Sequence, residues 1–162
     1  HPITMEAAVY VASNLRPDDY REVYEGHGYF PLFSIPQAAF IGDSYYFKAP
    51  NGKIAAIGGV QEDGRIWMLC TPTVEKYPIT YARFCKQFLE SRDEPLLWNI
   101  VDKRNTIHLK LLKFLGFKFL RELEYGPNKL TFIEFCYVSS SSLCSGSSVC
   151  SPSRRSVRRS AR

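Results

Sequence analysis

Apolar residues recur along this chain at strand-like and helix-like spacings, and each spacing predicts an element. Ala7 to Ala12 reads as a short first strand. "NLRPDDYREVYEG" follows with Pro17 at a helix start, Asp18 and Asp19 in its first turn and Gly26 as a stop. Phe33 to Ile41 reads as a second short helix interrupted by Pro36. "SYYFKAPNGKIAAIGGV" places two strand-like runs around Asn51-Gly52, a strong hairpin signal, and "QEDG" turns the chain into "RIWMLC". Three antiparallel strands are expected there. Gly58 and Gly59 predict a bulge or a close approach of backbones. From Val74 the residues Val74, Tyr77, Tyr81, Phe84, Cys85 and Phe88 fall at helical spacing, with Lys76, Arg83, Lys86 and Glu90 on other faces.

"PLLWNIV" is apolar throughout, as a strand covered on both faces would be. The next helix is capped by Asn105 or Thr106, buries Ile107, Leu111, Phe114 and Leu115, turns His108 to solvent and stops at Gly116. "KFLRELEY", a "GPN" turn and "LTFIEFCYV" form a closing hairpin. The order predicts an α/β (α+β) fold, a mixed sheet of about seven strands with helices on both faces.

Composition divides the chain in two. Residues 1–138 have the content of a globular domain, whereas "SSSSLCSGSSVCSPSRRSVRRSAR" from Ser139 is Ser-rich and nearly devoid of large apolar groups. It buries too little to offset its ordering entropy, so a flexible Ser/Arg-rich tail over 139–162 is expected. Arg154, Arg155, Arg158, Arg159 and Arg162 carry +5, the whole net charge, with no acid among them. The preceding domain is therefore neutral overall. Such an arm fits phosphates or an acidic protein surface. Lys103, Arg104, Lys110 and Lys113 form a second candidate contact for nucleic acid or a partner.

No apolar run is long enough for a membrane span, and no signal-peptide pattern opens the chain, so a soluble, non-secreted protein is expected. Cys70, Cys85 and Cys136 lie in apolar runs and are expected as reduced core thiols. Cys144 and Cys150 lack partners at zinc spacing, so no metal site is expected. His27, between two glycines, reads as a loop histidine, and "GDS" at 42–44 as a turn.

The element order resembles the GCN5-related N-acetyltransferase fold. "NTIHLKLLKFLGFK" is similar to that family's strand-to-helix motif, with Asn105, Gly116 and Phe117 in the places of its Asn and Gly-Phe. A narrower resemblance, carried by "AAIGGV", Trp67, Thr71 to Val74, "ITYARFCKQFLESRDEPLLWN" and "NTIHLKLLKFLGFKF", is to the internal virion protein A family of T7-like podophages. That likeness implies a role in virion morphogenesis, other virion proteins or packaged DNA as partners, and a location in the virion or the infected host cytoplasm.

The acetyltransferase resemblance implies acetyl-coenzyme A held by a glycine-rich loop before the central helix. Glycines are needed because backbone N–H groups must approach the diphosphate. Here that place reads "TPTVEKYPIT", with no glycine, an acid at Glu75 and a proline at Pro78. The tyrosine that serves as general acid in many members is replaced by Leu112. Tyr77, Tyr81 and Tyr125 are the available substitutes, each more simply explained by packing. The expectation is therefore a non-catalytic acetyltransferase-like phage protein without catalytic residues or cofactor. The alternatives are an active acyl-coenzyme A transferase, contacting its cofactor through Leu69, Thr71, Asn105 and Phe117, and a nucleic-acid-binding accessory module.

Overall fold

The computed structural model describes residues 1–139. Helix α1 (Met5–Ser13) replaces the expected first strand. "AAVYVA" contains β-favouring residues, yet Ala7, Ala8, Val11 and Ala12 are the buried ones, a stripe one helical turn apart. Thr4 caps the helix by accepting from the Ala7 N–H. The first predicted helix forms as α2 (Pro17–Arg21) and continues as a π turn over Glu22–Gly26. α3 (Pro31–Ala38) accommodates Pro36 and starts with Pro31 at its first turn.

The strands are β1 (Asp43–Lys48), β2 (Ile54–Val60), β3 (Ile66–Cys70), β4 (Leu96–Asp102), β5 (Lys118–Tyr125) and β6 (Leu130–Val138). They make two antiparallel three-stranded sheets, β1-β2-β3 and β4-β6-β5, rather than one sheet of about seven strands. Both predicted hairpins are present, β1–β2 around Asn51-Gly52 and β5–β6 around 126–129. The β1–β2 ladder runs through Gly58 and Gly59 without a break, and its irregularity falls at Phe47/Lys48. Gly59 serves close approach: a Cβ there would run into the Asp43 carbonyl.

The sheets meet at one place. Arg65 and Trp98 form an isolated parallel bridge, with the Trp98 N–H donating to the Gly64 carbonyl at 3.1 Å. Trp98 Nε1 donates to the Asp63 carbonyl, and Asn99 Nδ2 donates to the Ile66 carbonyl at 2.7 Å. Gly64 has φ +80° and lies against the Leu96 carbonyl, so a side chain there would be both strained and obstructed. Past this joint β3 and β4 separate. At the far end of β3 the Cys70 carbonyl accepts instead from the Arg16 N–H, 2.8 Å away.

α4 (Pro78–Glu90) and α5 (Thr106–Phe114) cover one face of the sheets. α4 buries Tyr81, Cys85 and Leu89, close to the predicted stripe, although Val74 belongs to a separate 3₁₀ turn over Pro72–Lys76. α5 is rotated from its predicted setting. His108 and Leu112 are buried, whereas Ile107 and Phe114 are exposed. Cys70 and Cys85 are buried free thiols, and Cys136 is half-buried. β4 is buried at Leu97 and Val101 but only half-buried at Trp98, Asn99 and Ile100, because the cleft opens beside it.

This packing ranks two neighbouring substitutions. Leu97 sits in a core with Leu89, Val101, Leu112 and Phe135, so Leu97→Ala is expected to lower unfolding stability by about 2–5 kcal/mol in chemical denaturation. Trp98→Ala removes a half-buried ring and the joint's side-chain hydrogen bond, and is expected to cost less than Leu97→Ala; the reverse ranking would place the core elsewhere.

Candidate functional site

Where β3 and β4 separate, a cavity of about 790 Å³ opens between the sheets. Its walls are chiefly apolar, including Met68, Leu69, Phe84, Phe88, Ile100 and Phe117, and polar groups from Glu22, His27 and His108 lie among them. Tyr81 also lines it, but that hydroxyl donates to Met68 Sδ at 3.1 Å and lies 3.3 Å from Cys70 Sγ. Burial pushes the Tyr81 phenol and the Cys70 thiol well above their ordinary ranges, so both stay protonated at neutral pH.

Beside the cleft lies a knot of buried polar groups. Arg16, 1 % exposed, donates from Nε to Asp19 Oδ2 at 3.0 Å and from Nη2 to Asn105 Oδ1 at 2.8 Å. The Asn105 oxygen also caps α5 by accepting from the His108 N–H. The Asn105 amide nitrogen lies 3.2 Å from Asp19 Oδ1, 3.1 Å from Glu22 Oε2 and 3.2 Å from His108 Nδ1. Two amide hydrogens cannot make full hydrogen bonds to all three neighbours at once. Burial raises the Glu22 carboxyl to about 8, against the opposing pull of Asn105 and with Asp19 and Asp102 adding to the rise. Burial lowers His108, which is neutral at pH 7.

Potential ligand atoms of Asp19, Cys70 and His108 lie within 4.8 Å of one another. Arg16 and Asn105 already donate to this carboxylate and imidazole, and the thiol is protonated. The trio is therefore a hydrogen-bonded core in the structure. The segment before α4 is the 3₁₀ turn Pro72–Lys76, capped by Thr71, with Glu75 Oε1 3.9 Å from Arg16 Nη1. Glu75 is exposed at the place a diphosphate would need, and Pro78 opens α4 without an N–H. These residues do not fit that group.

The residues considered for a cofactor are not brought to one surface. Leu69 and Phe117 line the cleft. Thr71 Oγ1 is 3.0 Å from the Ile54 carbonyl and accepts from Thr73, while Asn105 is enclosed in the knot. Leu112, in the general acid's place, is buried against Leu97 and Phe135. Tyr125 approaches His27 Nδ1 at 3.2 Å, and His27 packs on Phe132. Lys103 pairs with Glu122 at 2.7 Å, and Arg104 pairs with Asp102 and Glu25, each at 2.7 Å. Lys113 Nζ stands 5.6 Å over the Phe119 ring and Lys110 is exposed. His108 faces inward, opposite to its predicted direction. Arg154, Arg155, Arg158, Arg159 and Arg162 lie outside the described residues, as do Cys144 and Cys150.

Arg16, Asp19 and Glu22 escaped the sequence reading. One signal was present: an arginine immediately before Pro17 puts a cation at a helix N-terminus, where the dipole disfavours it unless an acid such as Asp19 compensates.

Residues 47–124 match the family described as "Bacteriophage T7, probable scaffold protein Gp13". That span holds all of β2, β3, β4, α4, α5 and the joint. No curated protein sequence matches the chain. Among solved structures, spermidine N-acetyltransferase from Vibrio cholerae in complex with CoA and spermine superposes with a TM-score of 0.65 at 9 % identity, covering 88 % of this chain and 96 % of that one. A probable acetyltransferase of the GNAT family from Chromobacterium violaceum gives 0.59 at 12 % identity, covering 85 % of each chain. A GCN5-related N-acetyltransferase from Brucella melitensis gives 0.57 at 12 % identity, covering 85 % of this chain and 74 % of that one. The chain has a GCN5-related acetyltransferase fold with a T7-phage link.

The protonated Glu22 has a measurable consequence. Its folded pKa is raised, so the folded state holds a proton that the unfolded state releases above about 4.5, and Glu22 lowers stability progressively as pH rises from there to about 8. Asn105, Asp19 and Asp102 are the groups that act on it. The Glu22→Gln variant is therefore expected to gain stability relative to the unaltered chain between pH 5 and 8, read as the difference between their denaturation midpoints. A constant difference over that range would show that Glu22 is ionised in the fold.

Proposed function

We propose that this protein is a non-catalytic acetyltransferase-like component of T7-like phage assembly, acting by binding other virion proteins. The observation that carries the reading is the match of residues 47–124 to a phage scaffold family over the part of the fold that would bear the chemistry. Within that part, a 3₁₀ turn bearing exposed Glu75 stands where the resemblance calls for a glycine cradle, and Leu112 stands where it calls for a proton donor. An active acyltransferase would need both functions from other residues. Among the described residues no helix is long and apolar enough to cross a membrane, in keeping with a place in the particle or the infected cell's cytoplasm. In cells infected by a T7-like phage, the tagged protein is expected to sediment with assembling particles. Calorimetry on the purified chain is expected to show no acetyl-coenzyme A binding tighter than about 100 µM, roughly 5.5 kcal/mol. Recovery only in the free protein fraction would overturn the assembly role, and tight cofactor binding would restore the enzymatic reading.

On this reading residues 1–138 are the folded unit and 139–162 an accessory arm for packaged DNA or an acidic partner. The internal pairing of Lys103 and Arg104 leaves the five arginines of the arm as the principal phosphate contacts. Non-specific duplex binding by the full chain is expected to show a log-log salt slope near −4.5, about −0.9 per contact, and to vanish when 139–162 are removed. Equal affinity in the truncated chain would move the site to Lys110 and Lys113.

A further inference from the structure

A group of exposed aromatic and apolar side chains lies on the segment joining α2 to α3, at the margin of the cleft, which Tyr29 also lines. Tyr20, Tyr24, Tyr29, Phe30, Leu32 and Phe33 are each between 41 % and 75 % exposed. They are not scattered: Tyr20 stacks on Tyr24 with ring centroids 5.6 Å apart, and Tyr24 meets the Phe30 ring at 5.4 Å. At about 200 Å² for each large side chain, the six leave roughly 700 Å² open. A standard interface takes about 800 Å² from each partner, and a monomer rarely leaves so large an aromatic patch uncovered.

Charge indicates what covers it. From Gly26 to Gly42 the sequence has no Asp, Glu, Lys or Arg. The charges bordering the patch are paired within the molecule, Asp18 with Arg21 and Glu25 with Arg104 at 2.7 Å. Nucleic acid or a strongly charged protein would find no counter-charge here. A two-fold interface sets a patch against its own copy, which a net charge would oppose and an uncharged aromatic surface permits. Depletion of charge with enrichment in Tyr and Phe is also the composition of interface centres.

We propose that the aromatic surface around Tyr24, Phe30 and Phe33 is the interface between two copies of this chain. It goes beyond the assembly role and does not depend on it. Multi-angle light scattering on the purified full chain is expected to give twice the 18.6 kDa chain mass. The double variant Phe30→Ser, Phe33→Ser is expected to halve that mass while keeping the circular dichroism spectrum of the unaltered chain. Ile79→Ser, at another exposed apolar position on α4, serves as the control and is expected to remain a dimer. A monomeric unaltered chain at about 100 µM, a concentration that detects association as weak as roughly 5.5 kcal/mol, would overturn the proposal. So would a Phe30/Phe33 variant that stays dimeric. A monomer that instead binds a purified virion protein through these residues would assign the surface to that partner and equally overturn it.

Discussion

Burying the Arg16 guanidinium is the constraint around which the rest of the fold is arranged. A buried cation is tolerated only when paired and hydrogen-bonded; Asp19 and Asn105 meet that need at Nε and Nη2, whereas Nη1 makes no hydrogen bond. Asp19 comes from α2, Asn105 from the start of α5, and Arg16's own N–H takes the last carbonyl of β3. Because the Cys70 carbonyl is satisfied by Arg16, the end of β3 does not depend on β4 as a neighbour. The strands are tied near Gly64 and Trp98 and released beyond, which gives the cleft its shape.

The same knot sets the chemistry beside the cleft. Its Asn105 is a helix cap, an acceptor for Arg16 and a donor among three acceptors at once, so its amide has no capacity to spare. Burial raises the Glu22 carboxyl and lowers His108, so both are neutral at pH 7 and Arg16 is left facing Asp19. Within this group Arg16 Nη1 and His108 Nε2 are buried without a hydrogen-bond partner. On the proposed reading the fold is kept for its shape, with Glu75 and Leu112 standing where an acyltransferase would place its phosphate cradle and proton donor. The aromatic face on α2–α3 is the proposed surface of association, and it adjoins the cleft at Tyr29.

Much of the architecture was legible along the chain because it rests on local rules. Asn51-Gly52 specifies a tight turn, the α4 stripe repeats at helical spacing, and Asn105 and Gly116 punctuate α5 with cap chemistry. Two misreadings show where local rules end. Ala7–Ala12 offers β-branched and aromatic residues but buries a helical stripe, because α1 has α3 and β2 to pack upon. His108 looked like a solvent residue among lysines, and α5 turned it inward because its capping Asn105 is anchored to Arg16 in another part of the chain.

The sequence by itself determined the order of elements after α1, the charge balance of residues 1–138 against the arginines of 139–162, the resemblance to an acetyltransferase fold and the lack of glycine before α4. These follow from composition, spacing and side-chain chemistry, which need no knowledge of distant neighbours. Only the tertiary structure decided that the strands form two sheets joined at Gly64 and Trp98, that Arg16, Asp19, Glu22, Asn105 and His108 share one buried knot, and that the aromatic residues near Phe30 stay outside the core. The physical reason is common to all three. Each depends on which groups satisfy or cover one another across dozens of residues, and periodicity records only the face a residue prefers, not the partner it meets there.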